Sequence, residues 1–466
     1  MYKVEAGFIN EQQVWEVLEK NKKADHARTR EVLSKAKEMK GLNMDDVAVL
    51  TGISDPELLG ELFHAANQVK ETIYGKRLVL FAPLYISNLC ANECLYCAFR
   101  ATNKSIVRNS LTQQQIAHEV EILINKGHKR ILLVAGESYP AQGFQYVLDA
   151  VRTIYGVKSD HGEIRRVNVN VAPLDEQEFR ELKAEGIGTY QIFQETYHRE
   201  IYKKVHLGGK KRDYNWRVWA LHRAMKAGID DVGIGVLFGL FDYRFEILAM
   251  MQHIRELEDK FDVGPHTVSV PRLEPATGSN LAAHPPFPVS DIDFRKIVAI
   301  LRLAIPYTGI IMSTRETAQM RRETFALGVS QISAGSRTNP GGYEHEKDED
   351  DPSGQFSLGD HRPLDEVIRD VASMGYIPSF CTACYRLGRT GHDFMDLAKP
   401  GDIKLHCQPN ALSSFKEYLQ NYASPQTAEV GNRLIRDTIA GMDGIAKQRA
   451  EKLVQRVEAG RDDVYC

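Results

Sequence analysis

Residues 77–99 read RLVLFAPLYISNLCANECLYCAF: an apolar run of strand character that leads into three cysteines, Cys90, Cys94 and Cys97, spaced C-x3-C-x2-C. Seven more strand-like stretches follow: RILLVAGE (130–137), RVNVNVA (166–172), TYQIFQE (189–195), DVGIGVLFG (231–239), HTVSVPRL (266–273), GIIMST (309–314) and VSQISAG (329–335). Helical patterns separate most of them. One is LTQQQIAHEVEILINKG (111–127), where Thr112 and Gln115 have the spacing of a capping box. Eight strands alternating with helices predict an α/β fold, a parallel sheet closed as a TIM-type (β/α)8 barrel. In such barrels the catalytic residues sit at the C-terminal ends of the strands, and the cysteines fall just past the end of the first strand.

The flanks read differently. Residues 1–75 form an N-terminal helical extension, with apolar residues at helical spacing in DHARTREVLSKAKEMKG (25–41) and DPELLGELFHAANQVKETIYG (55–75). The barrel is expected over 76–375. A C-terminal helical domain is expected over 376–466, with helical patterns around NALSSFKEYLQNYA (410–423) and TAEVGNRLIRDTIAGMDGIAKQRAEKLVQRVEAG (427–460). EHEKDEDDPSG (344–354) is polar and acidic and is expected to be a solvated, mobile loop.

Composition narrows the class. Of 466 residues 43% are hydrophobic and 26% charged, which suits a globular chain with a full core. A net charge of −3 provides no bulk field for nucleic acid or an anionic membrane, so neither partner is expected. The first residues lack an apolar signal core, and no apolar run is long enough to span a bilayer. The expected location is therefore cytoplasmic. Seven cysteines in that setting point to metal or redox chemistry more than to disulfides. Three lie at 90–97, three at 381–407, and Cys466 ends the chain, where it is expected to be a free thiol without a role.

Three thiolates leave one iron of a 4Fe–4S cluster without a protein ligand. The amino and carboxylate groups of S-adenosylmethionine (SAM) can chelate that iron, and an electron from the reduced cluster can break the sulfonium C–S bond to give a 5′-deoxyadenosyl radical. A zinc site is the competing reading. It normally wants a fourth ligand nearby, and no cysteine or histidine stands close in sequence. The aromatic Tyr96 before the last cysteine and the barrel context also favour iron–sulfur.

On these residues the chain resembles the radical SAM superfamily, whose C-x3-C-x2-C motif it matches residue by residue. The resemblance extends along most of the barrel. Ala135-Gly136-Glu137 looks like the family's GGE motif, with Ala in place of the first Gly, and implies that this backbone receives the SAM amino group. Glu195 in QIFQETYH and Arg217 in YNWRVWAL match an acid that contacts the ribose or amino group and an arginine that clamps the SAM carboxylate. GIGVLFGL (233–240) resembles the glycine-containing strand that packs against adenine. The bland readings of these positions are a strand-to-loop turn and a surface ion pair.

Two further stretches resemble the aromatic amino-acid lyases of that superfamily: YQIFQETYH (190–198), and the pair MSTRE (312–316) and ISAGS (332–336). The resemblance implies L-tyrosine as substrate, hydrogen abstraction by the adenosyl radical, and Cα–Cβ cleavage to p-cresol and dehydroglycine. Arg315 is the candidate cation for the substrate carboxylate, with Ser336 nearby after the eighth strand. The bland reading of Arg315 is a helix-start charge or a barrel salt bridge.

The second cysteine group, in FCTACYRLGRTGHDFMDLAKPGDIKLHCQPN (380–410), gives Cys381-x2-Cys384-x22-Cys407. Spacing alone leaves zinc, with His392 or His406, and iron–sulfur equally open. This spacing resembles the branch of tyrosine lyases that mature FeFe-hydrogenase, whereas the thiamine-pathway branch does not carry the motif. The resemblance implies a second 4Fe–4S cluster, conversion of dehydroglycine to CO and cyanide, and an additional labile iron bridged by a free cysteine. It implies as partners a reductant such as flavodoxin or ferredoxin and a hydrogenase maturation scaffold protein. His266, opening the sixth strand, is the candidate protein ligand of the extra iron. That assignment needs the C-terminal block to cap the mouth of the barrel opposite the first cluster. Two alternatives remain: a tyrosine lyase serving thiamine synthesis, and a non-catalytic iron–sulfur or zinc protein.

Overall fold

A computed structural model describes residues 7–345, 353–400 and 402–466. Its strands follow the sequence order expected: β1 (Arg77–Ser87), β2 (Arg130–Ala135), β3 (Arg166–Asn170), β4 (Tyr190–Glu195), β5 (Val232–Val236), β6 (Thr267–Ser269), β7 (Gly309–Met312) and β8 (Val329–Ser333). Each is parallel to the next, and β8 returns to β1 through the pairs Val79–Gln331, Leu80–Ile332 and Phe81–Ser333. That last pairing closes the sheet into the (β/α)8 barrel. β1 is buried along nearly its whole length, because it has sheet neighbours on both edges, helices outside and the barrel interior inside.

The sixth strand is shorter than the expected 266–273. Pro271 has no N–H for the ladder, so β6 stops at Ser269, and only an isolated bridge between Phe238 and Arg272 continues the pairing. A ninth strand, β9 (Ile377–Ser379), was not expected from the sequence. It lies parallel to the N-terminal end of β1, with Arg77 opposite Ile377 and Val79 opposite Ser379. Three residues containing Pro378 carry too little pattern to be read as a strand, yet they tie the start of the C-terminal block to the lower rim of the barrel.

The N-terminal extension is four helices, Glu11–Asn21, His26–Ala36, Met44–Thr51 and Pro56–Tyr74. Asn10, Asp25, Asn43 and Asp55 cap them, each side chain accepting a backbone N–H of the first turn; such caps contribute about 1 kcal/mol apiece. Thr112 and Gln115 form the capping box expected ahead of the helix Gln113–Asn125. In the C-terminal block the second helical pattern is two helices, Pro425–Ala440 and Gly444–Glu458, which follow Lys404–Asn421. The break falls at Gly441–Asp443, where Asp443, extended in backbone, is the N-cap residue of the last helix without a side-chain capping bond. Of the acidic stretch 344–354, positions 346–352 lie outside the described residues. Among the described residues no helix is long and apolar enough to cross a membrane.

Candidate active site

β1 ends at Ser87, and the loop that follows brings Cys90, Cys94 and Cys97 to the wall of one cavity at the C-terminal mouth of the barrel. Hydrogen bonds hold the loop in place. Glu93 N–H donates to Gly208 O at 3.1 Å, Leu95 N–H to Val205 O at 2.9 Å, and Cys97 N–H to Cys94 O at 3.1 Å. The Cys97 sulfur accepts from Phe99 N–H at 3.4 Å and from Gln355 Nε2 at 3.7 Å. Burial pushes all three thiols up, Cys97 to about 11. Thiolates become favourable in such a place only when a cation offsets their desolvation, as a metal does. Among the described residues no three His, Cys, Asp or Glu side chains stand close enough to hold a single metal ion. The three cysteines line one shared cavity.

The other residues expected at this mouth converge on the same cavity. Gly136 follows β2 and donates its N–H to Ser87 O at 2.9 Å. A Cβ there would lie 2.2 Å from Leu89 O, so only glycine lets the end of β2 approach the cysteine loop this closely. Glu137 accepts from Asn92 Nδ2 at 2.7 Å and pairs with Arg217 at 2.8 Å. Arg217 is buried, and its Nε donates to Phe193 O at 2.6 Å. Burial opposes its charge, yet Glu137 and Glu195 raise its pKa above the ordinary value. It is thus part of a buried network and not a surface ion pair. Glu195 ends β4 with φ at 70°, a left-handed backbone that costs a non-glycine residue energy and that clusters at functional sites. Its carboxylate pairs with Lys211 at 2.6 Å. Tyr96 Oη meets His206 Nε2 at 2.8 Å. Ala135 lines the same wall.

Arg315 and Ser336 part company. Arg315 lines the cavity, stacked over the Phe356 ring at 3.2 Å from its centroid. Among the described residues its guanidinium has no carboxylate within ion-pair range, so it forms no barrel salt bridge there; it stands two residues before Thr317, the N-cap of the helix Ala318–Phe325. Burial lowers its pKa. Ser336 does not line the cavity, contrary to its expected place. It is buried, with its Oγ unpartnered, because the left-handed turn at Gly335 (φ 57°) takes the chain off the line of β8. Ser313, Ser333 and Thr338 face the cavity instead.

The opposite mouth holds a second site. β9 delivers Cys381, the short helix Ala383–Arg386 carries Cys384, and the helix Lys404–Asn421 carries Cys407. All three line a cavity with His266, Arg77, Arg130, Asp231 and Tyr385. The backbone N–H of Ala383 donates to the Cys381 sulfur at 3.4 Å. Cys384 and Cys407 share a hydrogen bond that pushes Cys407 down and Cys384 up. The three cysteines border this one cavity. His266 begins at the N-terminal end of β6, as expected, and packs on Phe394 with ring centroids 4.3 Å apart. Its Nδ1 lies 3.8 Å from Asp231 Oδ2. Burial lowers its pKa more than Asp231 raises it, which keeps the imidazole neutral and able to act as a ligand. His392 stands off this wall, 57% exposed near Asp262, and His406 does not line the cavity either.

Sequence reasoning missed Lys211, Asn92, Gln355, Arg77, Arg130 and Asp231. Arg77 and Arg130 did leave a signal: each is a lone cation at the first position of a buried strand. Cys466, expected to be a free thiol without a role, is a free cysteine whose backbone is held by Asn410 and by Arg389, whose Nη2 lies 2.8 Å from Cys466 O.

Comparison with known proteins agrees with this geometry. Residues 84–254 match the Radical SAM superfamily model, and residues 269–377 match the Biotin and Thiamin Synthesis associated domain. The chain is 32% identical to 2-iminoacetate synthase of Salmonella typhimurium over 338 residues, covering 72% of this chain and 86% of that protein. The Escherichia coli enzyme of that name is 33% identical over 344 residues, with the same coverage. Among solved structures, HydG, described as a maturase of the [FeFe]-hydrogenase, superposes with a TM-score of 0.95 at 46% identity, over 99% of this chain and 100% of that one. HydG from Carboxydothermus hydrogenoformans gives a TM-score of 0.83 at 40% identity, over 96% and 97%.

Proposed function

The chain belongs to the radical SAM superfamily, among the lyases that HydG and 2-iminoacetate synthase represent, and from that premise we propose that it cleaves L-tyrosine to p-cresol and dehydroglycine at the upper mouth and converts dehydroglycine to CO and cyanide at the lower. The product is an iron–carbonyl–cyanide unit for the FeFe-hydrogenase active site. Membership of the family implies a 4Fe–4S cluster and SAM. The second cluster, and the labile iron with its free-cysteine bridge, belong to the proposal, the labile iron being cargo.

When bound, the upper cluster and SAM supply the 5′-deoxyadenosyl radical that starts the reaction. The residues of the chain do the rest. Cys90, Cys94 and Cys97 hold the cluster. Tyr96, Ala135, Gly136, Glu137, Glu195 and Arg217 line the place SAM would take, and the Glu137–Arg217 and Glu195–Lys211 pairs hold their charges in fixed positions, so nothing need reorganise when a zwitterion enters. Arg315, whose guanidinium has no carboxylate partner among the described residues, would meet the tyrosine carboxylate. At the lower mouth Cys381, Cys384 and Cys407 would hold the second cluster, and neutral His266 would be the protein ligand available to the cargo iron. The dehydroglycine anion has the atoms of CO, cyanide and one water, so the second reaction balances as a dehydration with C–C cleavage.

The observation that carries this reading over a simpler thiamine-type lyase is the second cysteine triad, gathered with His266 around one cavity at the mouth opposite the first. The full-length likeness to HydG supports it. The test is product analysis with tyrosine, SAM, iron and a reductant. The native chain should yield p-cresol, CO and cyanide. Changing Cys381 and Cys384 to Ser should leave p-cresol and abolish CO. A native chain that makes p-cresol with one cluster and no CO would be the simpler lyase.

A further inference from the structure

The turn Lys203–Arg212 carries a feature the chemistry above does not use. It reads KKVHLGGKKR, five cations without an acid, in a chain whose net charge is −3. Lys211 turns inward to Glu195. Lys203, Lys204, Lys210 and Arg212 stand exposed, and among the described residues none of the four has an ion-pair partner. Between them Leu207 is 52% exposed. This turn is not a bystander on the surface, because it is hydrogen-bonded along the cysteine loop. Leu207 N–H donates to Glu93 O at 2.8 Å, Glu93 N–H to Gly208 O at 3.1 Å and Leu95 N–H to Val205 O at 2.9 Å, and Cys94 and His206 form a β-bridge. One face of the turn therefore touches the backbone on both sides of Cys94, and the other face is solvent.

We infer that this turn is the docking surface for an acidic one-electron carrier protein that reduces the Cys90–Cys94–Cys97 cluster. The inference rests on reading that triad as a redox cluster. An apolar centre at Leu207 ringed by unpaired cations is complementary to a carrier whose cofactor is ringed by carboxylates, and such complementarity raises the encounter rate and fixes orientation more than it adds affinity. The step is a single electron passing from the carrier's reduced cofactor to the oxidised cluster. The carrier is oxidised by one electron, the cluster is reduced by one, and no bond forms or breaks.

The experiment uses the reconstituted full chain and reads 5′-deoxyadenosine formation with two reductants: a strongly acidic 2Fe–2S ferredoxin kept reduced, and dithionite. In the Lys203→Glu, Lys204→Glu, Lys210→Glu variant the KM for ferredoxin should rise about tenfold or more, with the dithionite-driven rate within about twofold of native. The native ferredoxin-driven rate should fall steeply with added salt, and the variant's should not. Leu207→Ser, with every charge in place, should raise the same KM several-fold. Reversing Lys23, Lys37 and Lys452, exposed in the N-terminal helical extension and on the last helix, should change neither rate. An unchanged ferredoxin KM in the triple variant, an equal rise in the control variant, or an equal loss with both reductants would overturn the assignment. Because dithionite bypasses docking, absence of any dithionite-driven SAM cleavage in the native chain would refute the cluster reading itself, which separates the two failures.

Discussion

Replacing Arg315 by methionine removes a guanidinium that lines the upper cavity, stacks on Phe356 and has no carboxylate partner among the described residues. Burial lowers its pKa, and the nearest acids, Glu195 and Glu274, act on it only through space. If a substrate carboxylate completes this site, the substitution loses a hydrogen bond to a charged group, worth about 1.5–3 kcal/mol. At about 1.4 kcal/mol per factor of ten, the tyrosine KM should rise roughly 10- to 150-fold. Stability should move the other way or stay level, since methionine keeps an apolar contact with Phe356 and removes a half-buried charge that has no carboxylate partner among the described residues. Steady-state p-cresol formation gives the KM, SAM binding measured separately should be unchanged, and thermal unfolding gives the stability. An unaltered tyrosine KM together with a lower melting temperature would refute the reasoning, because Arg315 would then be a structural group only.

His266→Ala should lower occupancy of the extra iron and reduce CO release, while p-cresol formation and both 4Fe–4S clusters stay nearly normal; iron counts with CO trapping measure it, and unchanged iron occupancy would remove His266 from the ligand set. Glu246 is buried behind β4, where its carboxylate accepts from Thr196 Oγ1 and from Tyr197 N–H at 2.8 Å, and burial pushes its pKa up from 4.5 to about 8. Between those two values the unfolded chain releases a proton that the folded chain keeps, so this group costs stability as pH rises through the window. Glu246→Gln should remove that part of the slope, seen as a flatter change in urea midpoint between about pH 5 and about pH 8; an identical slope in the two proteins would count against a raised Glu246.

The strand ladder and the first cysteine loop were legible because their signals are local. Apolar runs of strand length between helical patterns identify the alternation, and alternation restricts the topology to a parallel sheet. Cys90, Cys94 and Cys97 lie within eight residues of one another, so their spacing alone describes a ligand set. Glycine at 136 belongs to the same class: the residue type records the close approach to Leu89 O that the fold requires. Ser336 was misplaced for the complementary reason. Its distance from β8 along the chain was short, but one left-handed residue at Gly335 turns the chain, and a backbone dihedral at a single glycine is not written in spacing.

By itself, then, the sequence determined the barrel, the upper cysteine site and the face on which chemistry occurs, since each depends on residues close along the chain. The tertiary structure alone brings the second cysteine group and His266 to one cavity. Cys381 and Cys407 are brought beside His266 by β9 adding to the rim of β1, by the C-terminal helix Lys404–Asn421 crossing beneath, and by barrel closure through β8 and β1. Arg77, Arg130 and Asp231 join them from three different strand starts. Those contacts join segments up to 330 positions apart, Arg77 to Cys407, and such contacts form only when long loops close around a packed core. The same closure sets which charges remain unpaired, because burial and partner distance are properties of the assembled surface and not of any residue type. Arg315 and Lys211 illustrate this: two cations on one wall, the second neutralised by Glu195 at 2.6 Å, the first without a carboxylate partner among the described residues.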